Sequence, residues 1–453
     1  MAGIYTKENI SNIYSLSPMQ EGMFIDLKLF PHSTSYTQQV CFVIQGHFEM
    51  DRLYKGIDFL LERHDILRTI FVETKQGKLL QVVLKKQVAE VRYLDASHLP
   101  APQEKINSIQ EEAYNRPFDL SKGPLIRVQV IKRAQEEHIV LLTFQHIILD
   151  GWSLYTLLHE LLYCYQNGSE QGLKTATPFV EYIRWIGCKS QEENAAYWKQ
   201  YLAGYTRPST IPITRVVDMG QFQPADHLIS MDSELMEKLR QYAQQCKVTP
   251  YNIILTCWAF VLSKFNNTDE VVLGTVTAGR NAEIPGIKEI VGVTANTIPV
   301  RVRFPAHARM QDVIRQVQLE AIGNESHHYM SLAAIQSYSP LRQELFDHIF
   351  IYENIEWTDV AEGTALQAGM EIRNFQVHGR THYNLEITVY PLEQYIKLLY
   401  NELVIDGDLI RAIGSHLMEV LDAVINDTGI RVDSIMQAST QPVETDTADF
   451  MDF

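Results

Sequence analysis

Residues 140–153 read Val-Leu-Leu-Thr-Phe-Gln-His-Ile-Ile-Leu-Asp-Gly-Trp-Ser, and this stretch alone dictates a strand, a turn and a helix start. Val140, Leu141, Leu142 and Phe144 form an apolar run short and β-prone enough for a buried strand. Gln145 and His146 then bring polarity, three apolar residues follow, and Asp150-Gly151 is a turn signal. From Trp152 onward Leu154, Leu157, Leu158, Leu161 and Leu162 recur at helical spacing, with Ser153 as the expected cap. A histidine at the end of a buried strand is partly desolvated, near-neutral and aimed by the fold, which suits a base. The plain alternative is a histidine satisfied in the core, and local pattern alone does not separate the two.

With 453 residues, 46% of them hydrophobic, the chain can bury a large core and divides into two or three units. No apolar run approaches the ~18 residues of a membrane helix, and the N-terminus has no signal-peptide core. The expectation is a cytoplasmic protein without membrane contact. Five cysteines (Cys41, Cys164, Cys188, Cys246 and Cys257) are scattered without paired spacing, which favours reduced thiols over a zinc site. A net charge of −16 and the lack of a basic stripe argue against nucleic acid. No glycine-rich phosphate loop is present.

Strands alternate with amphipathic helices in both halves, an α/β or α+β pattern. Strands are expected at 39–44, 79–84, 88–93, 125–131 and 138–144, and later at 227–231, 271–278, 346–354, 385–390 and 395–400. Helices are expected at 51–62, 103–115, 233–246, 250–265, 310–324 and 408–425. Thr249 caps the helix that starts with Pro250. Residues 168–172 form a polar, glycine-containing break.

His146-x-x-x-Asp150-Gly151 after a strand resembles the core motif of nonribosomal peptide synthetase condensation domains, within the chloramphenicol-acetyltransferase-like superfamily. The family usually has His-His-x-x-x-Asp-Gly; here Gln145 stands in the first position. Other stretches resemble the family's landmarks in order. They include Leu16-Ser-Pro-Met-Gln-Glu-Gly-Met23, of the kind common where the donor residue is D-configured, and Arg63-His-Asp-Ile-Leu-Arg68. Thr177–Trp185, Ala195–Leu202, Gly292–Arg301, the weakly matching His327-His328-Tyr329, Phe346–Asn354 and Arg380–Leu385 follow. The Gly292–Arg301 stretch departs by carrying Thr294 and Ala295 where the family has large apolar residues, which would widen any channel they border.

The resemblance implies two chloramphenicol-acetyltransferase-like lobes forming a pseudo-dimer around a central tunnel. The expected divisions are an N-terminal docking segment (1–15), lobes at 16–172 and 173–435, and an acidic tail (436–453). That tail is either disordered or a docking motif anchored by Phe450, Met451 and Phe453. The implied reaction is amide formation between a carrier-bound donor thioester and an acceptor amine. Both substrates arrive on the phosphopantetheine of peptidyl carrier proteins, with no cofactor bound by the domain itself. Partners would be donor and acceptor carriers and other synthetase subunits, with the domain monomeric.

His146 is the implied catalytic residue; Gln145, Asp150, Gly151 and Arg280 form the motif, with Asp150 expected to pair with Arg280. Trp152, Ser153, Asn296 and Tyr383 are the substrate-binding candidates. A thioester is already activated, so positioning (roughly 7–11 kcal/mol in well-aligned systems) and one proton acceptor (~10²–10⁴-fold) suffice. Two other readings stay open: a silent scaffold that only docks carriers, and a superfamily acyltransferase using a free amine or alcohol. Gln145 cannot titrate, yet it can replace a structural histidine by hydrogen bonding.

Overall fold

The strand carrying the motif is apolar over nearly its whole length because both of its faces are covered. In the computed structural model, which describes residues 7–99, 102–215, 221–357 and 370–438, it is the central strand of a five-stranded sheet. The first half contributes β1 (Ile10–Tyr14), β2 (Thr37–Gln45), β3 (Thr69–Glu73), β4 (Leu79–Leu84), β5 (Glu90–Asp95), β6 (Ile126–Ala134) and β7 (Glu137–Gln145). The second contributes β8 (Pro224–Ser230), β9 (Glu270–Thr277), β10 (Asn296–Arg303), β11 (Ile349–Tyr352), β12 (Glu371–Gly379), β13 (Leu385–Tyr390) and β14 (Tyr395–Asn401). They form sheets ordered β1-β4-β3, β12-β2-β7-β6-β5 and β10-β9-β11-β13-β14-β8.

The two large sheets repeat one plan. In the first, β2 pairs antiparallel with β7, β7 antiparallel with β6, and β6 parallel with β5. In the second, β8, β14, β13 and β11 stand in the same order with the same senses. After each hairpin the chain makes a short turn and enters a helix capped by an aspartate. Asp150 caps Gly151–Asn167, accepting from the Ser153 N–H, and Asp406 caps Gly407–Asn426, accepting from the Asp408 N–H. The expected mixed α/β fold is thus observed as two like halves.

The halves are not separate bodies. Strand β12 leaves the second half and pairs antiparallel with β2, running from Glu371 opposite Gln45 to Gly379 opposite Gln38. A register shift between Arg373 and Gln376, with Asn374 in the left-handed region (φ 53°), bends it there. Residues Ala282, Ile290, Val291 and Val293 of the second half are also buried in the first half's core. A boundary at 172 therefore describes the chain order and not the packing. At the N-terminus β1 pairs with β4, so residues 10–14 of the expected docking segment belong to the small sheet. Residues 436–438 of the expected tail close the helix Val432–Ala438; residues 439–453 lie outside the described residues.

Several expected helices match closely, including Ser233–Cys246, Pro250–Phe265 and Met310–Asn324, with Thr249 accepting from the Asn252 N–H as the cap. Strand β12 was not expected. Its residues Glu-Ile-Arg-Asn-Phe-Gln-Val-His-Gly are mostly exposed at a sheet edge and carry no clean alternation.

Aromatic packing holds the crossing segment down. Phe375 stacks between Phe42 (ring centroids 6.2 Å) and Trp357 (5.2 Å), and Trp357 meets Tyr155 edge-on at 6.4 Å. Such pairs contribute about 0.5–1.5 kcal/mol each beyond their area. Phe375→Ala is expected to lower stability by about 2 kcal/mol, less than a fully buried phenylalanine would cost. Urea unfolding checks this; a midpoint unchanged from wild type would show that the crossing strand is held by backbone pairing alone.

Candidate active site

His146 follows the last residue of β7 and continues its ladder: its N–H donates to the Tyr36 carbonyl at 2.7 Å. The Gln145 Oε1 also accepts from that N–H at 3.1 Å, so the buried Gln145 amide props the start of the turn. Ile148 N–H donates to the Gln145 carbonyl and Leu149 N–H to the His146 carbonyl, closing it. The imidazole Nδ1 meets the Leu149 carbonyl. A carbonyl only accepts, so Nδ1 carries the hydrogen and Nε2 of the neutral ring keeps its lone pair. No hydrogen bond to Nε2 is present among the described residues, and the side chain is only half-buried. Burial pushes the ring's pKa below that of a free imidazole, against the opposing pull of the Leu149 carbonyl and Asp150. The ring is neutral at pH 7.

Asp150 is buried and saturated. Its Oδ1 accepts from Arg280 Nη2 (2.9 Å) and Ser153 N–H (2.8 Å). Its Oδ2 accepts from Arg280 (3.1 Å), from the Thr294 N–H (2.9 Å) and Oγ1 (3.2 Å), and from the Ala295 N–H (3.3 Å). Burial would raise its pKa, but Arg280 and these hydrogen bonds overcome that and hold the carboxyl below its usual range. Arg280 also donates to the Ile287 and Ile290 carbonyls at 2.9 and 2.6 Å, binding the loop that enters the first half's core. Asp150 makes no hydrogen bond to the His146 ring among the described residues; it acts on the turn, not as a relay.

Four expectations change. Ser153 does not cap the helix; Asp150 does, and Ser153 donates its N–H to it. Ser153 is also not placed to meet substrate: it is fully buried, with its hydroxyl donating to the Gly292 carbonyl (2.6 Å) and accepting from the Gly292 N–H (2.9 Å). Asn296 has spent both amide hydrogens on the carbonyls of His328 (2.6 Å) and Met330 (2.7 Å), so its donors shape that turn instead of reaching a ligand. Thr294 is wholly buried beneath Asp150 and borders no channel.

Trp152 is half-buried, with its Nε1–H donating to the Lys288 carbonyl at 3.0 Å and its ring tilted against Tyr155. Tyr383 stands apart from the Asp150 network, half-buried against Phe346 and His382. Gly151 is closely approached: a Cβ there would lie 3.2 Å from Ile355 Cδ1 and 3.5 Å from Glu353 Oε2. Burial pushes the Glu353 carboxyl up to about 7, with Glu393 and Asp150 adding to it. Glu353 beside Gly151, and the hydrogen bonds from Thr294 to Asp150, were not anticipated from the sequence. Glu353 directly follows β11, whose last two residues are only partly buried, as His146 directly follows β7.

Among the described residues no cluster of His, Cys, Asp and Glu is arranged to hold a metal, and no helix is long and apolar enough to cross a membrane. The five cysteines are free, and Cys188 alone of them is exposed.

A family model described as "Condensation domain" matches residues 10–443. The chain belongs to the condensation-domain family. Condensation domains join carrier-bound substrates by an amide bond, an acyl transfer. Among relatives, this condensation domain is 32% identical over 429 residues to surfactin synthase subunit 2 of Bacillus subtilis, covering 93% of this chain and 12% of that protein. It is 32% identical over 432 residues to bacitracin synthase 1 of Bacillus licheniformis, covering 93% of this chain and 8% of that one. The chain therefore spans a small part of the relatives it matches. The starter condensation domain of rhizomide synthetase RzmA shares the fold at a TM-score of 0.77 with 19% identity, covering 94% of this chain and 99% of that one. A holo four-domain nonribosomal peptide synthetase, AB3403, superposes at 0.78 with 17% identity, over 96% of this chain and 34% of that one.

Two outcomes test the site's energetics. Asp150→Asn leaves Arg280 buried beside a neutral partner and should cost about 3–5 kcal/mol, read as a drop in the urea midpoint; a variant as stable as wild type would refute the pinning role. His328 is pushed to about 4 by burial. A depressed folded-state pKa means that the unfolded chain takes the proton first. Stability should therefore fall as pH drops from about 6.5 towards 4, and His328→Gln should flatten that fall. Equal urea midpoints at the two ends of that range would contradict it.

Proposed function

We propose that this condensation domain joins a D-configured donor, held as a thioester on one carrier protein, to an acceptor amine on a second, with His146 as the proton acceptor. The carrying observation is the His146 ring. Its Nδ1–H is committed to the Leu149 carbonyl, and its Nε2 lone pair has no partner among the described residues. The acceptor nitrogen attacks the thioester carbonyl, forming the C–N bond, and its proton passes to Nε2. Collapse of the tetrahedral oxyanion breaks the C–S bond, and the thiolate takes the proton back as the amide is released. The neutral ring at pH 7 suits that role.

Gln145 and Asp150 position the turn, and Arg280 ties it to the second half. The half-buried Trp152 and Tyr383 are the substrate-facing side chains in this reading. Leu16–Met23 supports the D-configured donor. Ser17 at its start forms a capping box with Gln20, whose Nε2 reaches the Ile147 carbonyl at 3.0 Å, so this stretch abuts the motif turn. The phosphopantetheine arms would approach through a passage between the halves. The acidic residues after 438 would meet another synthetase subunit.

His146→Ala should lower the rate of amide formation at least tenfold, within the usual ~10²–10⁴ range for a positioned base. The assay is product formation from carrier-bound donor thioester and aminoacyl acceptor. A D-aminoacyl donor should outpace its L-isomer at least tenfold, a gap of about 1.4 kcal/mol. An unchanged rate in the variant removes His146 from the chemistry, and no product from either form supports a docking-only domain.

A further inference from the structure

Tyr36 is the residue opposite His146 across the β2–β7 ladder, one step beyond the Thr37–Gln145 pair. It is not glycine, yet its φ is +62°, in the left-handed region that side chains rarely occupy. That conformation aims its two backbone groups at different halves of the molecule. Its carbonyl accepts from the His146 N–H at 2.7 Å, and its own N–H donates to the Arg380 carbonyl at 3.0 Å. Its buried side chain reaches the same segment, with the hydroxyl 2.5 Å from His382 Nδ1. Arg380 closes the arrangement. Its guanidinium donates to Ser33 Oγ (3.2 Å) and Ser35 Oγ (3.0 Å), on the approach to Tyr36, and lies over the Phe222 ring at 4.2 Å. A strained backbone persists only where its surroundings over-determine it, and such residues gather at functional sites.

We propose that Tyr36 is a positioning residue for His146, held in that role by His382 and Arg380 of the second half. The Tyr36–His382 bond keeps the left-handed turn in place, and the Tyr36 carbonyl carries that placement to the backbone of the base. His382 is exposed as a residue, while its bond to the buried Tyr36 hydroxyl is part-buried. The inference rests on His146 being the proton acceptor.

Two variants test it, Tyr36→Phe and His382→Gln, each removing one side of the side-chain bond and leaving the backbone groups. Hydrogen exchange of the peptide containing His146 reads the Tyr36 carbonyl bond without any substrate. Exchange of the His146 amide is expected to rise at least tenfold in both variants. With a D-alanyl carrier-protein thioester and a glycyl N-acetylcysteamine thioester as probes, kcat should fall about tenfold while both KM values stay within about twofold, as misplacement of a reacting group predicts. The double variant should be no worse than Tyr36→Phe alone, because the two side chains form one bond. Unchanged exchange, losses that multiply in the double variant, or a loss carried by KM would each overturn the proposal. His146→Ala run alongside keeps the two ideas apart: if it retains full rate, the assignment of the base fails, whatever the exchange shows.

Discussion

A carboxylate taken out of water is costly unless its oxygens are met by charge and by donors. Asp150 satisfies that requirement with partners from both halves: the Ser153 amide from its own helix, then Arg280, Thr294 and the Ala295 amide from the other. Much else follows from where those partners lie. The Asp-Gly turn cannot move without stranding the Arg280 guanidinium, and Arg280 in turn holds the loop carbonyls of Ile287 and Ile290 against the first half's core. His146 sits four residues ahead of this anchor, on a turn whose hydrogen bonds run from Gln145 to Leu149. The His146 turn is thus anchored by a salt bridge that the imidazole does not touch.

The second half shows what the same local plan looks like without that bond. Its hairpin also leads through a short turn to an Asp-Gly helix start, Asp406-Gly407. There the aspartate accepts from the Asp408 amide, and four residues ahead of it stands Glu402, engaged by Gln223 Nε2. Capping a helix needs only an oxygen at its N-terminus. A proton acceptor also needs a titratable atom that the fold leaves unpartnered. Both halves supply the cap; at His146 the first half adds an imidazole whose Nε2 has no hydrogen bond among the described residues.

The junction between the halves is where this difference arises. Strand β12 brings Arg380 and His382 to the start of β2, and the 282–293 loop brings Arg280 and Thr294 to the Asp150 turn. Both connections are made by second-half residues, and they flank the motif on either side. Aromatic packing around Phe375 and the charge-assisted bonds at Asp150 are therefore contributions to the site as much as to stability.

The motif was legible in the chain because hydrophobic periodicity switches there from that of a strand to that of a helix, with polar residues at the change. The same local signals marked the helices at 233–246, 250–265 and 310–324, each with its own cap or apolar face. Ser153 and Asn296 read as available in the sequence for a single reason. Polar side chains near a motif look available, and only coordinates reveal that carbonyls, amides or Asp150 already occupy them. Strand β12 and the left-handed turn at Tyr36 were invisible for another, since an exposed edge strand has no clean alternation and φ is not written in a tyrosine. Local order along the chain decided which residue could be a base and which turn would carry it. Tertiary structure decided which polar groups remained free, because hydrogen bonds between residues far apart in the chain are set by packing and not by spacing.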